Sequence, residues 1–132
     1  MNIVVDTDIL IDFSFDKSET LSNLLEKQHR KEANLFINPV IITEYLTDQK
    51  LINNRVLENE ALEFLHSFDI VEITEKEAIL VARLLREKRI IFLGDAYIAA
   101  TCLTRNFKLA TRNKKHFKQI PQLKFYEIDS LN

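Results

Sequence analysis

Three of the chain's twenty acidic residues stand apart from the rest by their surroundings. Asp6 directly follows the apolar triplet Ile3-Val4-Val5. Glu44 is the only charged residue in the run Val40-Ile41-Ile42-Thr43-Glu44-Tyr45-Leu46. Asp95 is the only charge in Gly94-Asp95-Ala96-Tyr97-Ile98-Ala99-Ala100-Thr101-Cys102-Leu103. A carboxylate set in an apolar helix is costly to leave idle, so each asks for a partner. Each has an ordinary structural role open to it. Asp6 could cap the next helix, Glu44 could pair with a Lys or Arg, and Asp95 could complement a helix dipole. If the three converge, they repel and raise one another's pKa, a conflict that a bound divalent cation removes. An all-oxygen ligand set with no thiolate and no paired His suits Mg²⁺ or Mn²⁺ rather than zinc.

The elements that must position these acids are readable from spacing and caps. Short apolar runs at Ile3-Val4-Val5, Leu35-Phe36-Ile37, Ile70-Val71-Glu72-Ile73, Lys108-Leu109-Ala110 and Phe125-Tyr126-Glu127-Ile128 predict five strands. Most lack polar alternation, as expected of parallel strands covered on both faces. Leu57, Ala61, Phe64, Leu65 and Phe68 recur at helical spacing and predict a helix near 55–68. Thr74 with Glu77 reads as a capping box ahead of Ala78, Val81, Ala82 and Leu85. Asn38-Pro39 reads as an N-cap with proline at the first helical position. Ser18 can cap a helix carrying Leu21, Leu24 and Leu25, and a last long helix should start at Gly94-Asp95. The order βααβααβααββ predicts an α/β fold with a mostly parallel five-stranded sheet between helices. In such sheets, sites gather at the carboxyl ends of the strands.

Composition narrows the function further. The 132 residues suit one domain, 1–132, with room for a substantial core. Cys102 is alone, so no disulfide or thiolate zinc site can form within the chain. No apolar run approaches the roughly 18 residues a membrane span needs, and no signal peptide is evident, so the expectation is a cytoplasmic protein. Gly94 is the only glycine, which rules out a Walker loop and a GxGxxG turn, both built on glycines against phosphate. Charge is uneven: ten Lys/Arg and only two acids, Glu87 and Asp95, lie between Arg83 and Lys118. A basic segment of this kind can neutralise nucleic-acid phosphates, although a solvated helix face would look the same around Arg83–Arg89.

With these pieces in place, the chain resembles PIN domains, specifically VapC-type toxins of type II toxin–antitoxin pairs. The matching segments are Ile3–Asp12, Ile42-Thr43-Glu44-Tyr45-Leu46, Gly94-Asp95-Ala96-Tyr97-Ile98-Ala99-Ala100 and Leu109-Ala110-Thr111-Arg112-Asn113. The resemblance implies a three-layer fold, a homodimer, Mg²⁺-dependent endoribonuclease activity and inhibition by a small cognate antitoxin. It places Asp6, Glu44 and Asp95 on the family's metal-binding and catalytic acids. Thr7 and Thr111 would then offer hydroxyls to the scissile phosphate or to metal-bound water, and Arg112, Lys114 and Lys115 would hold the RNA backbone. RNA readers favour single-stranded loops, which suits a tRNA or rRNA loop as target.

The chain departs from the family pattern in two places. Many members carry a fourth carboxylate where Asn113 or His116 stands, and either could ligate in its place. Asp8, where relatives often carry Asn or Ser, could add a carboxylate at the site rim or cap the first helix. A non-catalytic RNA-binding or scaffold module of the same fold is the alternative reading. Asp6-Thr7-Asp8 also imitates the DxDx[TV] opening of haloacid-dehalogenase-type phosphatases. Leu10 at the fifth position and Ala100 five residues beyond Asp95 argue against that reading.

Overall fold

The structure is a computed structural model that describes residues 1–15 and 17–128. Four parallel strands form the sheet: β1 (Asn2–Val5), β2 (Asn34–Ile37), β3 (Asp69–Ile70) and β4 (Lys108–Ala110), in the order β3-β2-β1-β4. A pair of helices crosses between each strand and the next. They are α1 (Thr7–Ser14) and α2 (Thr20–His29), α3 (Pro39–Leu46) and α4 (Arg55–Leu65), and α5 (Glu75–Arg86) and α6 (Leu93–Arg105). Ile3, Val4, Val5, Leu35, Ile37, Leu109 and Ala110 are fully buried, which explains strands without polar alternation.

The expected fifth strand is not formed. Phe125 makes a single parallel bridge to Leu109, with Leu109 N–H donating to the Lys124 carbonyl and Tyr126 N–H to the Leu109 carbonyl, each at 2.9 Å. The reason lies in β4. It ends at Ala110, where Thr111–Asn113 break away to bond acids on α1, so nothing remains for residues after Tyr126 to pair with. The third strand is also shorter and earlier than its apolar run suggests, although Val71 N–H still reaches the Ile37 carbonyl at 2.8 Å.

Local signals explain several helix starts. Asn38 caps α3 by accepting from Ile41 N–H at 2.9 Å, with Pro39 at the first position. Its amide also donates to the Thr101 hydroxyl at 3.0 Å, tying α3 to α6 inside the core. Ser18 accepts from Thr20 N–H at 3.1 Å, but the N-cap position of α2 is Glu19, whose side chain makes no capping bond, so the expected Ser18 cap is displaced by one residue. Thr74 precedes α5 as expected, but its hydroxyl donates to the Glu77 carboxylate at 2.7 Å and caps no backbone group. Among the described residues, four adopt left-handed backbone, Lys31, Asn53, Lys88 and Asn106, each within two residues of a helix end, and none is glycine.

The strand order locates the site. Connections run outward from β1 to β2 and β3, then return to β4 on the far side of β1. The direction of winding therefore switches between β1 and β4, and the crevice outside their carboxyl ends is where such sheets bind ligands. Asp6 and Thr111 are the residues directly after those two strands, and Asp6 N–H donates to the Ala110 carbonyl at 3.0 Å.

Candidate metal centre

Asp6 ends β1 and is the N-cap of α1, with its side chain accepting from Thr7 N–H at 2.7 Å. Its other oxygen accepts from the Thr111 hydroxyl at 2.8 Å. The residue is only 6% exposed. Burial, followed by the charge of Asp8, pushes the Asp6 carboxyl up to about 7 despite the opposing bonds from Thr111 and Thr7; Asp95 adds a smaller push. The helix-capping role open to Asp6 is therefore filled, and its second oxygen faces Thr111 at the carboxyl end of β4.

Asp8 lies in the first turn of α1. Its Oδ2 accepts from Arg112 N–H at 3.0 Å, Asn113 Nδ2 at 3.2 Å and the Thr111 hydroxyl at 3.3 Å. Its Oδ1 is buried with no hydrogen-bond partner among the described residues. Burial raises the Asp8 carboxyl above its ordinary value, against the bond from the Arg112 backbone.

Glu44 differs from its sequence expectation. The surrounding segment is apolar, but in α3 only Ile41 is fully buried and Glu44 is exposed. Its partner among the described residues is the Thr7 hydroxyl at 2.6 Å and no Lys or Arg. Gly94 explains how it fits: a Cβ at that position would stand 2.8 Å from Glu44 Oε2. The only glycine of the chain thus clears space where α3 approaches the start of α6.

Asp95 lies half-buried in the first turn of α6, whose body is buried as expected. Its Oδ2 is 3.0 Å from His116 Nδ1, and the His116 ring lies 5.5 Å from that of Phe92. The three acids are therefore linked by contacts and sequence neighbours. Asp6 adjoins Thr7, Thr7 bonds Glu44, and Glu44 rests against Gly94 beside Asp95.

The remaining expected residues are placed as follows. Thr7 and Thr111 both turn their hydroxyls to carboxylates. Asn113 donates its amide N–H to Asp8, and His116 sits on Asp95. Arg112 Nε is 2.6 Å from Asp12 Oδ2. Lys114 pairs with Glu127 at 3.0 Å, and Lys115 is exposed. Asp12, buried on α1, is the residue that sequence reasoning left without a role. Its signal was present: Asp8 and Asp12 are four apart on one helix face, and that face meets the loop after β4.

Each acid is matched to its own donor, so among the described residues no three His, Cys, Asp or Glu side chains are grouped ready around a single ion. The donor chemistry still fits a hard divalent cation. The side chains at the junction are oxygen ligands, Asp8 Oδ1 is buried without a partner among the described residues, and burial followed by the charge of Asp8 raises the Asp6 carboxyl to about 7. Cys102 is buried, and burial pushes its thiol far up, away from thiolate chemistry.

Comparison with known proteins shows the family of the chain. A model of the PIN domain family matches residues 3–123. Ribonuclease VapC1 of Methanocaldococcus jannaschii is 34% identical, over 95% of this chain and 87% of that protein. A toxin–antitoxin complex from Klebsiella pneumoniae contains a chain 29% identical with a TM-score of 0.70, covering 96% of this chain and 99% of that one. VapBC2 from Rickettsia felis, crystallised with a DNA fragment from its promoter, shares the fold with a TM-score of 0.79 at 23% identity, over 98% of this chain and 100% of that one.

Proposed function

The chain belongs to the PIN domain family, and from that membership we propose that it is a metal-dependent endoribonuclease of VapC type, the toxin of a toxin–antitoxin pair. The observation that carries this reading is the junction of β1, α3 and α6. Three acids are linked there through Thr7 and Gly94, and the most buried of them, Asp6, is pushed up to about 7 by burial and then by the charge of Asp8. Asp6, Glu44 and Asp95 would hold the ion, and Asp8 would offer Oδ1 from the rim. When bound, Mg²⁺ or Mn²⁺ would polarise a phosphodiester oxygen and lower the pKa of the attacking water.

The chain's own groups do the positioning. Thr111 fixes one oxygen of Asp6 and the backbone of Thr7 fixes the other. The Thr7 hydroxyl fixes Glu44, and His116 steadies Asp95. Arg112, braced by Asp12, and Lys114 and Lys115 line the open side, where they would hold the RNA backbone without reading its sequence.

A groove of about 290 Å³ between α1, α3 and α4 supports the partner half of the reading. It is lined by Ile11, Phe15, Tyr45, Leu57 and Phe64 and reaches Glu44 at its edge. An apolar helix face of a small antitoxin would fill such a groove, and its occupant would abut the acids. We further propose a cytoplasmic homodimer; no helix among the described residues is long and apolar enough to cross a membrane.

Incubating total RNA with the parent and with Asp95→Asn tests the reading. The parent should cut, a chelator should stop it, and Mg²⁺ or Mn²⁺ should restore cutting. Equal cutting by Asp95→Asn, or cutting indifferent to chelator, would overturn the metal assignment. RNA binding without any cutting would instead support a non-catalytic module.

A further inference from the structure

Next to the acid junction the chain exposes three consecutive large apolar side chains: Ile91 at 84%, Phe92 at 54% and Leu93 at 60%. Nothing in the core accounts for them, and a contiguous exposed patch of this kind marks an interaction surface. Ile91 and Phe92 line a cleft of about 400 Å³ together with Lys88, Arg89, Lys115, His116 and Lys118. Arg89 is engaged with Glu87 at 3.0 Å, whereas Lys88, Lys115 and Lys118 form no ion pair among the described residues. Phe92 is also the N-cap residue of α6, three positions before Asp95, and its ring packs beside His116, which holds Asp95.

We propose that Phe92, flanked by Ile91 and Leu93, is a stacking subsite for one unpaired base of a single-stranded RNA, with the surrounding lysines on its phosphates. The inference rests on the ribonuclease reading of the adjoining acids and adds the element that orients the strand across them. An aromatic face set in a ring of cations is how single strands are held without sequence readout. A duplex would not expose the base face that the ring requires. A second copy of the chain is the competing occupant, and charge disfavours it. A two-fold contact sets a patch against itself, which would press Lys88, Lys115 and Lys118 against the same three cations.

The chain contains no tryptophan, so Phe92→Trp installs a sole indole at the subsite. In the cleavage-silent Asp95→Asn background, labelled oligo(A) should quench that emission in step with its own rise in anisotropy. Inorganic polyphosphate, which offers phosphates without bases, should bind the lysines and leave the emission unchanged. Phe92→Ala should weaken oligo(A) binding by roughly tenfold and raise KM for an RNA that the parent cuts, with Phe92→Trp restoring both. Emission that stays constant while oligo(A) binds overturns the proposal. So does emission that tracks protein concentration alone, which assigns the patch to self-association. If the parent cuts RNA and the indole is silent, only this inference fails; if the parent neither binds nor cuts RNA, the ribonuclease reading fails with it.

Discussion

Asp6 and Glu77 are both carboxylates buried at the start of a helix, 6% and 1% exposed, yet their surroundings drive them in opposite directions. Burial pushes Glu77 up, but the bonds from Thr74 and Arg105, together with the guanidinium charge, outweigh it and hold the carboxyl below its ordinary value. Arg105 reaches it at 2.7 Å and also donates to the Glu72 carbonyl at 3.1 Å, so the pair braces the start of α5 against the end of α6. Asp6 has hydrogen bonds but no cation, and its nearest charges are further acids. One buried acid is completed by the fold; the other is left incomplete. The difference supports the proposal that Asp6 serves a site, because perturbed carboxylates without a counter-charge cluster at functional positions.

The sharpest way to break the contrast is to remove an acid from the incomplete group. Asp95→Asn should lower RNA cleavage on the order of a thousandfold while the far-UV circular dichroism stays that of the parent. Stability should respond at one site and not at the other. Arg105→Ala strands Glu77 in the core and should cost about 3 kcal/mol in urea unfolding. Asp6→Asn relieves repulsion and should cost nothing at neutral pH; a loss as large as that of Arg105→Ala would erase the distinction.

The two acids should also answer pH with opposite signs. The folded Asp6 carboxyl binds its proton more tightly than the unfolded one. Its contribution to stability is present below the unfolded value near 3.8 and is lost as pH rises through about 7. Glu77, held low, contributes above its ordinary value of 4.5 and loses that contribution as pH falls through its lower folded value. Metal-free protein should therefore lose Tm between about pH 4 and 7, and Asp6→Asn should flatten that slope. Mg²⁺ should restore Tm at pH 8 and do little at pH 5. The smallest effect is expected at Gly94→Ala. Its Cβ crowds only the flexible end of Glu44 and makes ordinary contact with Val40, so stability should change by about 1 kcal/mol or less, with cleavage reduced several-fold as Glu44 shifts.

The sequence made most of this legible where the signal is local. Apolar triplets marked β1, β2 and β4, and Asn38-Pro39 marked the start of α3. Solitary charge in apolar surroundings picked out Glu44 and Asp95, and the family resemblance placed them with Asp6. What escaped depends on residues distant in the chain. The apolar run around Glu44 suggested a buried helix, but which face of α3 is covered is decided by α1, α4 and α6. The fifth strand looked sound by itself and failed because its neighbour β4 ends after three residues. The Thr74–Glu77 pair read as a cap; its real partner, Arg105, lies 28 positions away. Asp12 was passed over because its significance comes only from Arg112, on the other side of the sheet's switch point.

The glycine usage has a consequence for engineering. The chain bends its backbone into left-handed conformations with lysine and asparagine at four helix ends and keeps its one glycine where steric clearance is needed. Left-handed backbone disfavours a lysine by roughly 1–2 kcal/mol, so Lys31, remote from the acids, is a position where thermal tolerance can be gained without touching activity. Gly94 offers no such freedom. The molecule can thus be hardened from its periphery, whereas at Gly94, where α3 approaches the start of α6, the same kind of substitution displaces Glu44.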